Sequence, residues 1–166
     1  MATANNWNQL EQILMKIIKE VIEEVGYKVN ELMRENIDKY VYQAGSQANY
    51  YADGTGQPTF ELRDSIRSSK AKVSGNSAEV NVYHDSDFMT VEPDDFVHGS
   101  NYWKTYDIRD LLPEIINYGL SGDFFGSGWW QKPRPYYDKT LEDLRDKGQL
   151  RQWFIEGLKK RGLKVK

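Results

Sequence analysis

Residues 6–42 read NWNQLEQILMKIIKEVIEEVGYKVNELMRENIDKYVY, with apolar side chains at Leu10, Ile13, Leu14, Ile17, Ile18, Val21, Ile22, Val25, Val29, Leu32, Met33, Ile37 and Tyr40. Three- and four-residue spacing, with charges on the remaining positions, is the pattern of one long amphipathic helix. Unbroken, it would run roughly 50 Å at about 1.5 Å per residue. A domain of this size cannot cover that length with its own core, so part of the apolar stripe is expected to face another subunit. Gly26 offers a place for a kink or for a break into two helices.

Beyond this helix the period changes. Phe60, Leu62 and Ile66 in TFELRDSIRSS, residues 59–69, predict a short helical turn with Arg63 and Arg67 outward. Lys70 to Val73 and Ala78 to His84 read as two strands about a turn at Ser74–Ser77, with Val80, Val82 and His84 on one face. Asp107 or Asp110 opens a further helix with Leu111, Leu112, Ile115 and Ile116 as its buried side and Pro113 near its first turn. Asp138 to Leu158 returns to helical spacing, divided at Gly148. The expected fold class is α+β: a long N-terminal helix and C-terminal helices packed on a small antiparallel β-sheet, in a single domain over residues 1–166.

Between these elements, NYGLSGDFFGSGWWQKPRPYYD, residues 117–138, holds four glycines, two prolines and seven aromatics. The prolines remove two amide donors and hold Arg134 extended, so an aromatic, Gly-rich loop is expected here. Trp, Tyr and Arg dominate the binding energy of protein contact surfaces. Phe124, Phe125, Trp129, Trp130, Arg134, Tyr136 and Tyr137 are therefore the interface candidates, with core plugging the other reading for the Phe and Trp pairs.

At 166 residues, 39% hydrophobic and 28% charged, the chain fits a globular protein. No run approaches the roughly 18 apolar residues of a membrane span, and the polar start lacks a signal-peptide pattern, so a cytosolic site of synthesis is expected. The absence of cysteine excludes disulfides, thiol catalysis and thiolate metal sites. The net charge of −3 is unevenly spread. Residues 84–126 carry nine acids against two bases, and residues 127–166 carry eleven bases against five acids. Complementary blocks in one chain suit head-to-tail self-association, which closes into a ring when the rotation permits. A solvated basic tail beside an acidic loop is the simpler alternative.

No catalytic grouping is evident. The only histidines are His84 and His98, neither at metal-ligand spacing from another His or a Glu, so no metal or cofactor is expected. His84-Asp85-x-Asp87 reads more economically as a strand end before an acidic turn than as an acid/base site. The DGTG at 53–56 lacks the Lys-Ser/Thr of a phosphate cradle, and no GxSxG elbow or SxxK pair occurs. The expectation is a protein that is not an enzyme. Lysines of the C-terminus with Trp153 and Phe154 could contact nucleic acid, but those aromatics lie on the apolar face of the last helix.

The order of elements, with Glu61-Leu62-Arg63-Asp64-Ser65-Ile66, the Lys70–His84 hairpin, Glu114 with Tyr118-Gly119, and Arg134-Pro135-Tyr136, resembles the neck and tail-completion proteins of long-tailed bacteriophages. Glu61 stands where that family commonly has glycine, and residues 85–113 form a longer, acidic insertion than is usual. The resemblance implies a virion structural protein of the head–tail junction: a homo-oligomeric ring, sixfold or twelvefold, between the portal connector and the tail. It would line the channel through which DNA leaves, without sequence-specific contact and without a membrane partner. Its neighbours would be connector or head-closure proteins and the tail tube or tail terminator. A phage-encoded nucleic-acid-binding or host-directed binding protein is the alternative.

Overall fold

A computed structural model describes residues 6–43, 60–89, 109–119 and 132–165. Phe124, Phe125, Trp129, Trp130, His98, the 44–57 loop and most of the 85–113 insertion lie outside the described residues. The fold is α+β. Its elements are α1 Trp7–Ile37, α2 Glu61–Asp64, strands β1 Ile66–Ser68, β2 Lys72–Ser74, β3 Ser77–Glu79 and β4 Val82–His84, then α3 Leu112–Tyr118, α4 Tyr136–Arg145 and α5 Gln149–Lys160.

α1 is continuous through Gly26. It begins where the Asn6 side chain accepts the Gln9 N–H at 2.9 Å, an N-cap that satisfies a donor the helix cannot. At its other end it passes into a π-helical turn, Asp38–Tyr42. No helix among the described residues is long and apolar enough to cross a membrane.

Contacts gather into two compact units, the first Met1–Glu31, Arg67–Tyr83 and Glu142–Lys166, the second Leu32–Ile66 and His84–Leu141. In the first, Val21, Val25 and Leu158 form the buried centre, with Ile17, Val29, Trp153, Phe154, Leu163 and Val165 packed against them. Two glycines set the approach distances. A Cβ on Gly26 would meet Val80 Cγ2 at 2.8 Å, and one on Gly157 would meet Val21 Cγ1 at 2.7 Å. Gly26 is thus a notch for Val80 and does not break the helix.

β2 and β3 pair antiparallel, Lys72 opposite Glu79 and Ser74 opposite Ser77. Gly75 takes φ +55° in the turn, where glycine is unstrained. The second strand read from the sequence divides in two. Val80 leaves the ladder for the Gly26 notch, Asn81 O accepts the Ser69 N–H at 2.8 Å, and β4 pairs with β1. Ile66, expected in a helical turn with Leu62, is instead the buried first residue of β1. Arg63, expected outward, is half-buried and bonds Asp64 Oδ1 at 2.9 Å and Asp38 Oδ1 at 3.3 Å. Leu111 is exposed, while Leu112 and Ile116 are buried as expected. Gly148, at φ +69°, separates α4 from α5.

Candidate functional site

In the second unit the distant segments that carry the family resemblance come together around His84. The short α2 ends at Ser65, whose Oγ donates to Leu62 O at 2.8 Å, closing the turn before β1. The same Oγ lies 2.8 Å from His84 Nδ1 at the end of β4. His84 Nε2 lies 3.0 Å from the Tyr136 hydroxyl in the first turn of α4. With Ser65 O–H donating to Leu62 O, Nδ1–H is assigned as donor to Ser65 Oγ, and a neutral imidazole then accepts the Tyr136 O–H at Nε2 rather than leaving that proton to Pro113 O. The Tyr136 hydroxyl also reaches Pro113 O at 3.4 Å, and its ring meets the imidazole edge-on at 5.9 Å.

This chain requires a neutral imidazole. Burial pushes His84 down to about 4 from the usual 6.5, opposed by a hydrogen bond with the Leu62 backbone. Burial likewise raises the Tyr136 phenol well above its ordinary value. Ser65 is fully buried and Tyr136 nearly so. Although Ser65 and His84 stand at the distance of a nucleophile and its base, no substrate can reach Ser65 Oγ in this conformation. The arrangement acts as a joint between α2, β4 and α4.

A second set of bonds holds α4 in place. Asn36 Nδ2 donates to Thr140 Oγ1 at 3.1 Å, and Thr140 Oγ1 donates to Tyr136 O at 2.8 Å. Arg134 N–H donates to Ile116 O at 2.9 Å, and the Tyr137 N–H donates to Asn117 Oδ1 at 3.0 Å. The 114–119 and 134–136 segments are thereby brought together. Beside them, Phe60 adopts a left-handed φ of 58°, uncommon for a bulky residue. It is held between the Arg63 guanidinium, 4.6 Å from its ring, and the Tyr42 ring at 4.9 Å.

Of the seven interface candidates, three are described. Arg134 and Tyr136 are buried within the chain, and Tyr137 is 43% exposed. Asn117 and Thr140 were not singled out from the sequence, and Ser65 only as part of the Glu61–Ile66 segment; each is a common polar residue with a partner far along the chain. Elsewhere the basic C-terminus is partly paired within the first unit. Arg161 bonds Glu20 Oε2 at 3.2 Å and Glu24 Oε2 at 3.0 Å, and Lys160 reaches Glu24 Oε1 at 3.4 Å. The Arg161 bond holds the Glu24 carboxyl below its usual range, against slight desolvation. No group of three or more His, Cys, Asp or Glu residues suited to a metal occurs among the described residues.

A family model described as YomN matches residues 6–160 of the chain. No curated protein and no solved structure matches it.

Proposed function

The chain belongs to the YomN family, and we propose that it is a structural protein of the bacteriophage head–tail junction, a neck or tail-completion protein that assembles as a ring. The observation that carries this reading is the convergence of the segments that resemble such proteins: Ser65 of Glu61–Ile66 and Tyr136 of Arg134–Tyr136 both meet His84 at the end of the Lys70–His84 hairpin, and Arg134 N–H bonds Ile116 O within α3, the helix that carries Glu114 and Tyr118. That these segments pack on one another supports reading them as one unit, as the resemblance would have it. In this reading buried Arg134 and Tyr136 anchor the C-terminal end of the contact stretch. Exposed Tyr137 would supply binding energy together with the sequence candidates Trp129 and Trp130. The mechanism is geometric: the ring matches the connector to the tail and holds the DNA channel.

Light scattering on the purified chain, across concentration and at two salt levels, tests the reading. A discrete sixfold or twelvefold species is expected, alone or after addition of a preformed connector. A monomer under all these conditions that instead binds DNA tightly and with steep salt dependence would replace the ring by the nucleic-acid-binding alternative.

A further inference from the structure

The tip of the β2–β3 hairpin stands open on both edges. Lys72, Val73, Ser74, Ser77 and Glu79 are exposed and Ala78 is half-buried, and no further strand pairs with β2 or β3 among the described residues. A two-stranded ribbon gains little stability by itself and is completed by a third strand or by packing. Below the tip the ribbon is already committed to its own chain. Ala71 N–H donates to Glu23 Oε1 at 3.1 Å, and Val80 packs on Gly26.

The turn decides which backbone groups face outward. Only Gly75 and Asn76 separate the strands, so Ser74 and Ser77 exchange the bonds that close the turn, and the next exchanging pair is Lys72 with Glu79. Between them Val73 and Ala78 direct their N–H and C=O groups away from each other, Val73 to the outer edge of β2 and Ala78 to that of β3. Among the described residues no bond takes these groups. An added antiparallel strand therefore has one register open to it, with its own outward residue opposite Val73 or Ala78. Set beside β3 in that register, the β2 of a second copy places Lys72 against Glu79, Val73 against Ala78 and Ser74 against Ser77, the same three pairs that the hairpin makes within itself. Pairing of like edges is poorer. β2 on β2 sets Lys72 against Ser74, and β3 on β3 sets Glu79 against Ser77, so both charges go unopposed.

We propose that the β2–β3 hairpin is a head-to-tail contact between copies of this chain, in which the β2 edge of one copy adds to the β3 edge of the next. Lys72 and Glu79 then alternate along one face of the extended sheet. The contact joins two different edges, so each added copy leaves one edge of each kind open, as a heterologous assembly requires. Two backbone bonds and a charge pair set direction and register rather than the bulk of the affinity. Strand addition stands on the hairpin alone; that the series closes into a ring rests on the assembly reading.

Amide hydrogen exchange of the ¹⁵N-labelled full chain, at concentrations below and above assembly, tests the contact. The Val73 and Ala78 amides should exchange about tenfold more slowly in the assembled protein. Val73→Pro removes the outward donor of β2, and Ala78→Pro that of β3, without taking a bond from the hairpin's own ladder. Each alone should raise the concentration needed for assembly about tenfold. An equimolar mixture should recover pairs that grow no further, because each variant keeps the edge that the other lacks. Should either proline disrupt the hairpin, Lys72→Glu combined with Glu79→Lys takes its place: the doubly reversed chain should associate with itself and exclude the wild type, and free mixing of the two would overturn the contact. Assembly with both amides unprotected would overturn strand addition and leave the ring. Protection of only one amide would mean that like edges pair, against the head-to-tail contact. Both amides protected in species of ever-rising mass would keep strand addition and overturn the ring, and a monomer throughout, even with a connector added, would overturn both.

Discussion

At the scale of single residues, His84 shows how one side chain ties three segments together and makes the fold sensitive to acid. Its folded value of about 4 lies below the ordinary 6.5, so as pH falls the unfolded chain takes up the proton first. The stabilisation is complete above about pH 6.5 and is lost progressively towards pH 4. The difference amounts to about 3 kcal/mol at 1.36 kcal/mol per pH unit. Urea unfolding at pH 7 and pH 4.5 should therefore show a loss in the wild type that His84→Gln largely lacks; equal losses would mean that His84 is not the titrating group. Tyr136→Phe removes the donor to Nε2 and should cost about 1–3 kcal/mol at pH 7, read as a lower urea midpoint. None of this was legible locally. The sequence around His84 shows a strand end and acids, and the partners lie 19 and 52 residues away.

Among the secondary-structure elements, the glycines separate what a sequence displays from what it conceals. Gly148 was readable as the divider of the C-terminal helices because its role is local: φ is +69° and nothing lies within 4 Å of a Cβ there. Gly148→Ala should cost about 1 kcal/mol through backbone strain alone. Gly26 invited a kink or a break, yet it lies within a continuous helix, as does Gly157, which the sequence reading left unremarked. Their reason is Val80 in one case and Val21 in the other, partners far along the chain that helical periodicity does not pair with them. In Gly157→Ala the helix preference for alanine gains about 1 kcal/mol, while the 2.7 Å approach to Val21 costs about 1–3 kcal/mol. Net destabilisation is expected by thermal unfolding. Adding Val21→Ala should then cost less than it does in the wild type, since the two changes share one contact. The hairpin follows the same division. Its turn at Gly75 was legible, and its break after Glu79 was not, because the break is made by the packing of Val80.

For the whole molecule, the sequence suggested that acidic and basic blocks attract neighbouring subunits. The described residues show part of the basic block paired within the chain instead, Lys160 and Arg161 binding Glu20 and Glu24 of α1, which lie outside the acidic block. Such partly exposed pairs contribute little individually and weaken in salt. If the chain assembles, apolar side chains rather than these charges must then supply most of the contact energy. Among the described residues α1 carries the most open of them. Trp7 is 84% exposed and Leu10 lies on the same helix face one turn on, whereas Val21 and Val25 further along the stripe are buried. Replacing Trp7 and Leu10 together by alanine should leave the urea midpoint of the isolated chain nearly unchanged, within about 0.5 kcal/mol, because exposed side chains contribute little to folding. Association should weaken, seen by light scattering as a rise in the concentration at which the oligomer forms. A loss of about 2–5 kcal/mol in stability would instead mark the pair as core residues. Unchanged association would confine the subunit contacts to other surfaces, Tyr137 and its neighbours first among them.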